Sequence, residues 1–398
     1  MYGAVLSGLN VLELARGDSV AFCTRLLGDY GAEVIKVEDP GQGDIISRSA
    51  PFVGNDPHPD KSIPFLYLNT NKRGVTLRLD AHPTREVLTK LVSWADIMVE
   101  GFQPGYLRDL GLDYSTLRDL NPALVLVSIT PFGQTGPYRD FQAEDIVACA
   151  MSGLMYLSGD ADKEPICNAL SQSEYVAGVN AAAAALVGIY HRMATGDGQH
   201  IDVSIVECLT AHLVQAVSSY SYMGAVRGRR SPLSSGLEEI MPCRDGYCLP
   251  TAQGSQPWDA VVELLDVEGL KDPKFATPEG RVVHGQELQR LLLQGLSNWD
   301  KKDLFHAASE RRLLFGMVQD AADLYDCPQL RARGFFTAVD HHLVGKADYP
   351  GEIVRLSEGS FEANRSAPGL GQHNYEVYCD LLGVKTDAFK SLEERGLV

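Results

Sequence analysis

The sequence lacks most of the features that quickly assign a chain to a class. No segment approaches the roughly 20 apolar residues needed to span a bilayer. No basic stretch precedes an apolar one near Met1, so neither a membrane span nor a secretory signal is expected. The eight cysteines are scattered, without a CxxC pair or a Cys/His cluster. That spacing argues against a zinc ribbon or a disulfide framework, and it predicts reduced thiols, a cytoplasmic location and no metal. HExxH, a Walker A loop, GxSxG and GxGxxG are all missing, as are internal repeats and low-complexity tracts. Positive charge is scarce: 35 Lys and Arg against 52 Asp and Glu leave a formal net charge of −17. A field of that sign disfavours nucleic acid and anionic membranes as partners.

What is present is a globular composition, with 45% hydrophobic and 22% charged residues over 398 positions. That length exceeds one compact core and suits two lobes. The first 130 residues alternate strand and helix patterns. Strands are expected at Asn10–Leu14, Glu33–Val37, Val75–Leu79, Asp96–Val99 and Leu124–Ile129. Helices are expected at Ala21–Tyr30 and after Pro83, where Val87, Leu88, Leu91 and Val92 share one face. Such alternation implies an α/β fold with a parallel sheet covered on both sides. From Ala143 the pattern becomes mainly helical, strongest over Glu174–Met193, and His200–Ile205 reads as a further strand. Cys243 and Cys248 flank Arg-Asp-Gly-Tyr, the pattern of a hairpin turn. The expected organisation is a large domain over 1–222, a small domain over 223–324, and a return segment over 325–398.

Several segments could carry chemistry. Asp18 and Ser19 follow the first strand, where they either cradle a ligand or cap the next helix. Asn71, Lys72 and Arg73 place two cations just before an expected strand, as a phosphate site or as a solvated loop. Two loops rich in glycine and proline, Glu100–Gly105 and Ile129–Pro137, follow strands at one sheet edge and suggest a cleft. Glu174 stands in Ser171-Gln172-Ser173-Glu174, which fits a capping box. The same position suits a nucleophilic carboxylate, because a helix N-terminus favours the ionised form. The histidines at 191, 200, 341 and 342 pair with no nucleophile by spacing and read as core or surface residues.

Taken together, Leu27–Glu38, Asn71–Val75, Ala95–Gly105, Ser128–Tyr138, Ser152–Met155, Arg192–Ser204 and Asp326–Phe336 resemble the family III CoA-transferases. This CaiB/BaiF family includes formyl-CoA and carnitine CoA-transferases and α-methylacyl-CoA racemases. The resemblance implies a Rossmann-like large domain built from both chain ends, a smaller α+β domain, and an interlocked dimer. It implies transfer of coenzyme A from an acyl-CoA to a carboxylic acid acceptor, with CoA as substrate and no tightly bound cofactor. It also implies a catalytic aspartate four residues before a helix glycine; here the glycine is Gly178 and the residue is Glu174. The carboxylate would form an acyl anhydride and then a glutamyl-CoA thioester.

By the same resemblance, Asp18, Ser19, Lys36, Asn71, Lys72, Arg73, Phe102, Gln103, Gly105 and Gln142 would bind CoA. Gln253, Gly254 and Ser255 would form a mobile loop over the substrate. Departures from the family pattern are Ser19-Val20-Ala21 in the first turn, and Asp39, Asp109 and Gln142 where some members carry basic residues. Where racemases use a His-Asp pair, this chain has Glu144 and Asp145, which could still serve as acid and base. The alternatives to a transferase are therefore an acyl-CoA racemase or isomerase, or a non-catalytic subunit of a heteromer with a paralogue.

Overall fold

The computed structural model describes residues 4–14, 17–44, 48–229, 240–250, 257–359, 361 and 365–398. Its contacts divide the chain into two units, one of 1–155, 167–223 and 334–398, the other of 156–166 and 224–333.

The first unit is built on a parallel sheet of six strands: β1 (Asn10–Leu14), β2 (Glu33–Glu38), β3 (Lys72–Thr76), β4 (Ile97–Glu100), β5 (Val125–Thr130) and β6 (His200–Ser204). Their order is β3-β2-β1-β4-β5-β6, every pair parallel. Side chains alternate between the faces, as the two-residue strand period requires. Leu12, Leu14, Ile35, Val37, Met98 and Leu126 pack on one side. Val11, Val34, Ile97, Val99, Val125 and Val127 pack on the other.

Helices connect the strands. They are α1 (Asp18–Asp29), α2 (Ile63–Leu68), α3 (Arg85–Trp94), α4 (Tyr106–Asp109) and α5 (Tyr114–Leu120). After β5 come α6 (Asp145–Met151), α7 (Leu154–Leu157) and the 24-residue α8 (Gln172–Thr195). Past β6 follow α9 (Ile205–Ala211) and α10 (Val214–Met223). The face of α3 formed by Val87, Leu88, Leu91 and Val92 is buried against the first sheet face. Opposite it, α1 and α8 cover the sheet together. Gly178 permits their close approach, since a Cβ there would sit 2.8 Å from the Ser19 carbonyl oxygen.

One strand differs from expectation. The sequence points to Val75–Leu79, whereas β3 begins at Lys72 and pairs from Val34↔Lys72 to Glu38↔Thr76. A lysine reads as loop, but Lys72 is fully buried because its ammonium meets Glu13 Oε2 at 2.8 Å. The C-terminal residues also belong to this unit. Tyr378 is fully buried and donates to the Thr76 carbonyl at 2.8 Å.

The second unit carries a three-stranded antiparallel sheet of β7 (Met241–Pro242), β8 (Tyr247–Pro250) and β9 (Phe315–Met317). The Cys243–Cys248 segment is the hairpin its spacing suggests, closed by Cys243 N–H to Gly246 O at 2.9 Å. Leucines 264, 265, 288, 291, 292, 296 and 304 form its core with Phe275 and Phe315. No helix among the described residues is long and apolar enough to cross a membrane.

Candidate active site

In a sheet of this order the connections reverse direction between β1 and β4, which opens a crevice beyond their C-terminal ends. A cavity of about 590 Å³ lies there. Gly17 and Ser19 line it from the β1–α1 turn, and Gly101, Phe102, Gln103 and Pro104 from the loop after β4. Ile129 contributes from β5 and Pro131 from just beyond it, and Phe141, Gln142, Ala143, Glu144 and Val147 from the approach to α6 and its first turn. Ile205 and Glu174 complete the lining. The volume lies within the range of small-molecule sites.

Glu174 enters this cavity from the first turn of α8. The capping box its sequence suggests does not form. Ser171 adopts φ 50° and ψ 42° and makes no side-chain cap. Asp145 takes over, its Oδ1 accepting from Ser173 N–H at 3.0 Å and Ser173 Oγ at 2.6 Å. Glu174 therefore turns elsewhere, and its Oε2 accepts from the Ser19 N–H at 3.2 Å. Burial pushes the Glu174 carboxyl above its ordinary value; both hydrogen bonds from Ser19 oppose this, and the Asp145 charge adds to it.

Asp18 lies within electrostatic reach of Glu174. Burial pushes its carboxyl up to about 6, the charges of Glu174 and Asp44 push the same way, and Lys36 opposes them. Asp18 Oδ1 is buried with no hydrogen-bond partner among the described residues. Two neighbouring carboxyls with raised pKa resist ionising together. A negative charge on Glu174 is stabilised by the Ser19 N–H and by the positive end of α8.

The other expected site residues divide cleanly. Ser19, Phe102, Gln103, Gln142 and Glu144 line the same cavity as Glu174. Gly105 lines a neighbouring cavity of about 240 Å³, with Gln103 common to both. Asp145 lies at the start of α6 and accepts hydrogen bonds from the Ser173 N–H and hydroxyl. Lys36 is fully buried and bonded to Glu13 Oε1 and Asp44 Oδ2, each at 2.8 Å. Lys72 is equally buried, giving hydrogen bonds to the Ala21 carbonyl at 2.8 Å and to Asn69 Oδ1 at 3.0 Å.

Both lysines therefore act beneath the β1–α1 turn as an internal ionic support, and neither is presented as a surface phosphate contact. Burial alone would raise Glu13, but Lys36 and Lys72 overcome it and hold that carboxyl at about 2. Asn71 bonds Asp29 Oδ1 at 2.7 Å and the Arg365 N–H at 3.1 Å. Arg73 is paired with Glu33 at 2.6 Å and Glu376 at 3.2 Å. Gln253, Gly254 and Ser255 lie outside the described residues.

Sequence reasoning missed two things. One is the electrostatic coupling of Asp18 and Glu174, which lie 156 positions apart and come near each other only once α1 packs on α8. The other is Phe141, Ala143 and Val147, which carry no chemical signature. The switch-point rule pointed to the start of their loop, Ile129–Pro137, but not to these residues farther along it.

The model of CoA-transferase family III matches residues 6–374. The chain belongs to CoA-transferase family III. It is similar to the succinate–glutarate CoA-transferase of Agrobacterium fabrum, at 30% identity over 96% of this chain and 97% of that protein. It is also similar to the succinyl-CoA–D-citramalate CoA-transferase of Chloroflexus aurantiacus, at 30% identity over 99% of this chain and 98% of that one. Among solved structures, a CAIB/BAIF family protein from Brucella suis superposes with a TM-score of 0.86 at 30% identity. That match covers 96% of this chain and all of the other. As a member of this family the chain is a CoA-transferase, an enzyme that moves coenzyme A between carboxylic acids.

Proposed function

We propose that Glu174 is the nucleophile of this CoA-transferase and that dicarboxylic acids of the succinate type are its substrates. The observation that carries the reading is the position of Glu174. It sits in the first turn of a long helix, in the switch-point cavity, with one carboxylate oxygen held by a backbone N–H. The ionised carboxylate attacks the donor thioester carbonyl, the carbon–sulfur bond breaks, and a mixed anhydride and CoA thiolate form. The thiolate attacks the glutamyl carbonyl, which expels the donor acid and leaves a glutamyl-CoA thioester. The acceptor carboxylate attacks that thioester to give a second anhydride. The released thiolate then takes the acceptor acyl group and restores Glu174.

A glutamate reaches about 1.5 Å farther than an aspartate. Displacement on that scale costs about 10²-fold in rate unless the pocket matches it. Here Ser19 N–H meets the longer side chain directly, at 3.2 Å. The substrate class rests on the relatives, whose names specify succinate or succinyl-CoA with glutarate or citramalate. Among the described residues that line the cavity none is Lys or Arg, which suits the thioester and acyl portion of the donor.

An interlocked homodimer belongs to the same reading. Its support is a set of apolar side chains left exposed on α8 and α10, among them Val187, Tyr190, Met193, Val214, Tyr222 and Met223. Patches of this kind mark interaction surfaces. Eight free cysteines suit a reducing compartment, and the cytoplasm is the proposed location.

The test is CoA transfer from succinyl-CoA to a panel of mono- and dicarboxylic acids, comparing the wild type with Glu174→Gln and Glu174→Ala. Both variants are expected to lose turnover with the fold retained. Turnover surviving in either variant would remove Glu174 from the mechanism. Equal rates with monocarboxylic acceptors would remove the proposed substrate class.

A further inference from the structure

Cys149 and Cys167 are 18 positions apart, and their spacing suggests no metal motif. The fold nevertheless brings them together on one carboxylate. Cys149 Sγ donates to Asp145 Oδ1 at 3.9 Å, and Cys167 Sγ donates to Oδ2 of the same residue at 3.7 Å. One ligand atom from each of the three residues lies within 4.8 Å of the other two. Cys149 is buried, whereas Asp145 and Cys167 are partly exposed, so the cluster is reachable from one side.

We propose that Asp145, Cys149 and Cys167 form a binding site for a soft divalent cation of the zinc type. Three observations converge on it. The first is size. A tetrahedral zinc site with Zn–S of about 2.3 Å and Zn–O of about 2.1 Å has S···S edges of about 3.8 Å and S···O edges of about 3.6 Å. The two observed sulfur–oxygen separations, 3.9 Å to Oδ1 and 3.7 Å to Oδ2, are of that order but run to different oxygens, so the thiols must turn toward one oxygen as the ion enters.

The second observation is charge. Two thiols and one carboxylate carry a single negative charge, and the exchange M²⁺ + 2 RSH → M(SR)₂ + 2 H⁺ leaves it unchanged. The cation therefore enters a half-buried site without adding net charge there. The two protons pass to solvent buffer, and no oxidant or reductant is needed.

The third observation is orientation. Asp145 is already fixed by the N–H and hydroxyl of Ser173, as metal-ligating carboxylates are fixed by neighbouring donors. A water can fill the fourth position. Two of the ligands lie in α6, which starts beside Glu144, and the third in the segment that leads into α8. An ion bound there would tie α6 to the segment that precedes Glu174.

The experiment uses the full chain, reduced and freed of metal, and titrates it with Cd²⁺ as optical probe and with Zn²⁺. The expected result has three parts: a thiolate-to-cadmium charge-transfer band saturating at one equivalent, release of two protons per ion, and displacement by zinc. X-ray absorption of the zinc-loaded protein should give two sulfur neighbours at about 2.3 Å. The double variant Cys149→Ser/Cys167→Ser should lose the band. The double variant Cys243→Ser/Cys248→Ser, which removes the thiol pair of the hairpin, should retain it.

Persistence of the band in the first variant, or its loss in the second, would place the ion elsewhere and overturn the proposal. So would a zinc spectrum with fewer than two sulfurs, a readout that needs no variant to fold. Because none of these measurements depends on turnover, the result stands apart from the assignment of Glu174.

Discussion

Glu100 offers a test of how this sheet tolerates an acid in its interior. It ends β4 with 3% of its surface exposed. The Phe102 N–H donates to its Oε2 at 2.7 Å. Burial, the largest influence, pushes its carboxyl up from 4.5 to about 7; hydrogen bonds from Ser128 and Phe102 oppose this, and the Asp202 charge adds to it. Below about 4.5 the folded and unfolded chains both hold the proton. As pH rises from there the unfolded chain releases it first, so the folded state loses stability until the pH passes about 7. At about 1.4 kcal/mol for each tenfold change in acidity, the loss amounts to about 3 kcal/mol.

Glu100→Gln is neutral throughout and keeps an oxygen for the Phe102 N–H, so it escapes this loss. Urea unfolding of both proteins at pH 4 and at pH 8 measures the difference. The gap in unfolding free energy should move by about 3 kcal/mol in favour of the glutamine variant at the higher pH. A gap that does not change with pH would refute the argument, since it would mean that Glu100 ionises normally in the folded protein.

The remaining predictions concern the support and packing of the site. Lys36→Met removes the buried ammonium shared by Glu13 and Asp44. The expected cost is about 3–5 kcal/mol in urea unfolding, and unchanged stability would contradict it. Gly178→Ala would place a Cβ 2.8 Å from the Ser19 carbonyl oxygen and 3.2 Å from the Phe22 side chain, so α1 and α8 must separate. That shifts Glu174 from the Ser19 N–H, and turnover should fall about 10- to 100-fold; wild-type turnover would show that the contact is dispensable. The pH dependence of kcat/KM should carry a step near 6 from Asp18, absent in Asp18→Asn. If the step survives in that variant, it belongs to another group.

The fold was legible where hydrophobic period alone decides structure. Strand β1 and the buried face of α3 could be read directly, because apolar residues recur at intervals of two or of three and four. The start of β3 was not, because Lys72 is tolerated inside through an ion pair with Glu13, 59 positions earlier. Loops following strands pointed to Ser19, Phe102 and Gln103, and helix position pointed to Glu174, and these four line one cavity. Whether Lys36 and Lys72 face a ligand or the interior depends on tertiary partners, and a cationic residue type carries no information about that choice. The Ser171-Glu174 pattern misleads for a related reason. A capping box requires Ser171 in extended backbone, and the left-handed turn it adopts gives the cap to Asp145.

The central claim is that the CoA moiety passes through a covalent thioester on Glu174, and capture of that species tests it most directly. The full chain is incubated with succinyl-CoA without acceptor, quenched, digested and measured by peptide mass spectrometry. The account predicts that the peptide containing Glu174 carries the mass of CoA less one water, that fragmentation places it on that residue, and that it disappears when acceptor acid is added. An unmodified Glu174 peptide, together with retained CoA transfer in Glu174→Ala, would contradict it.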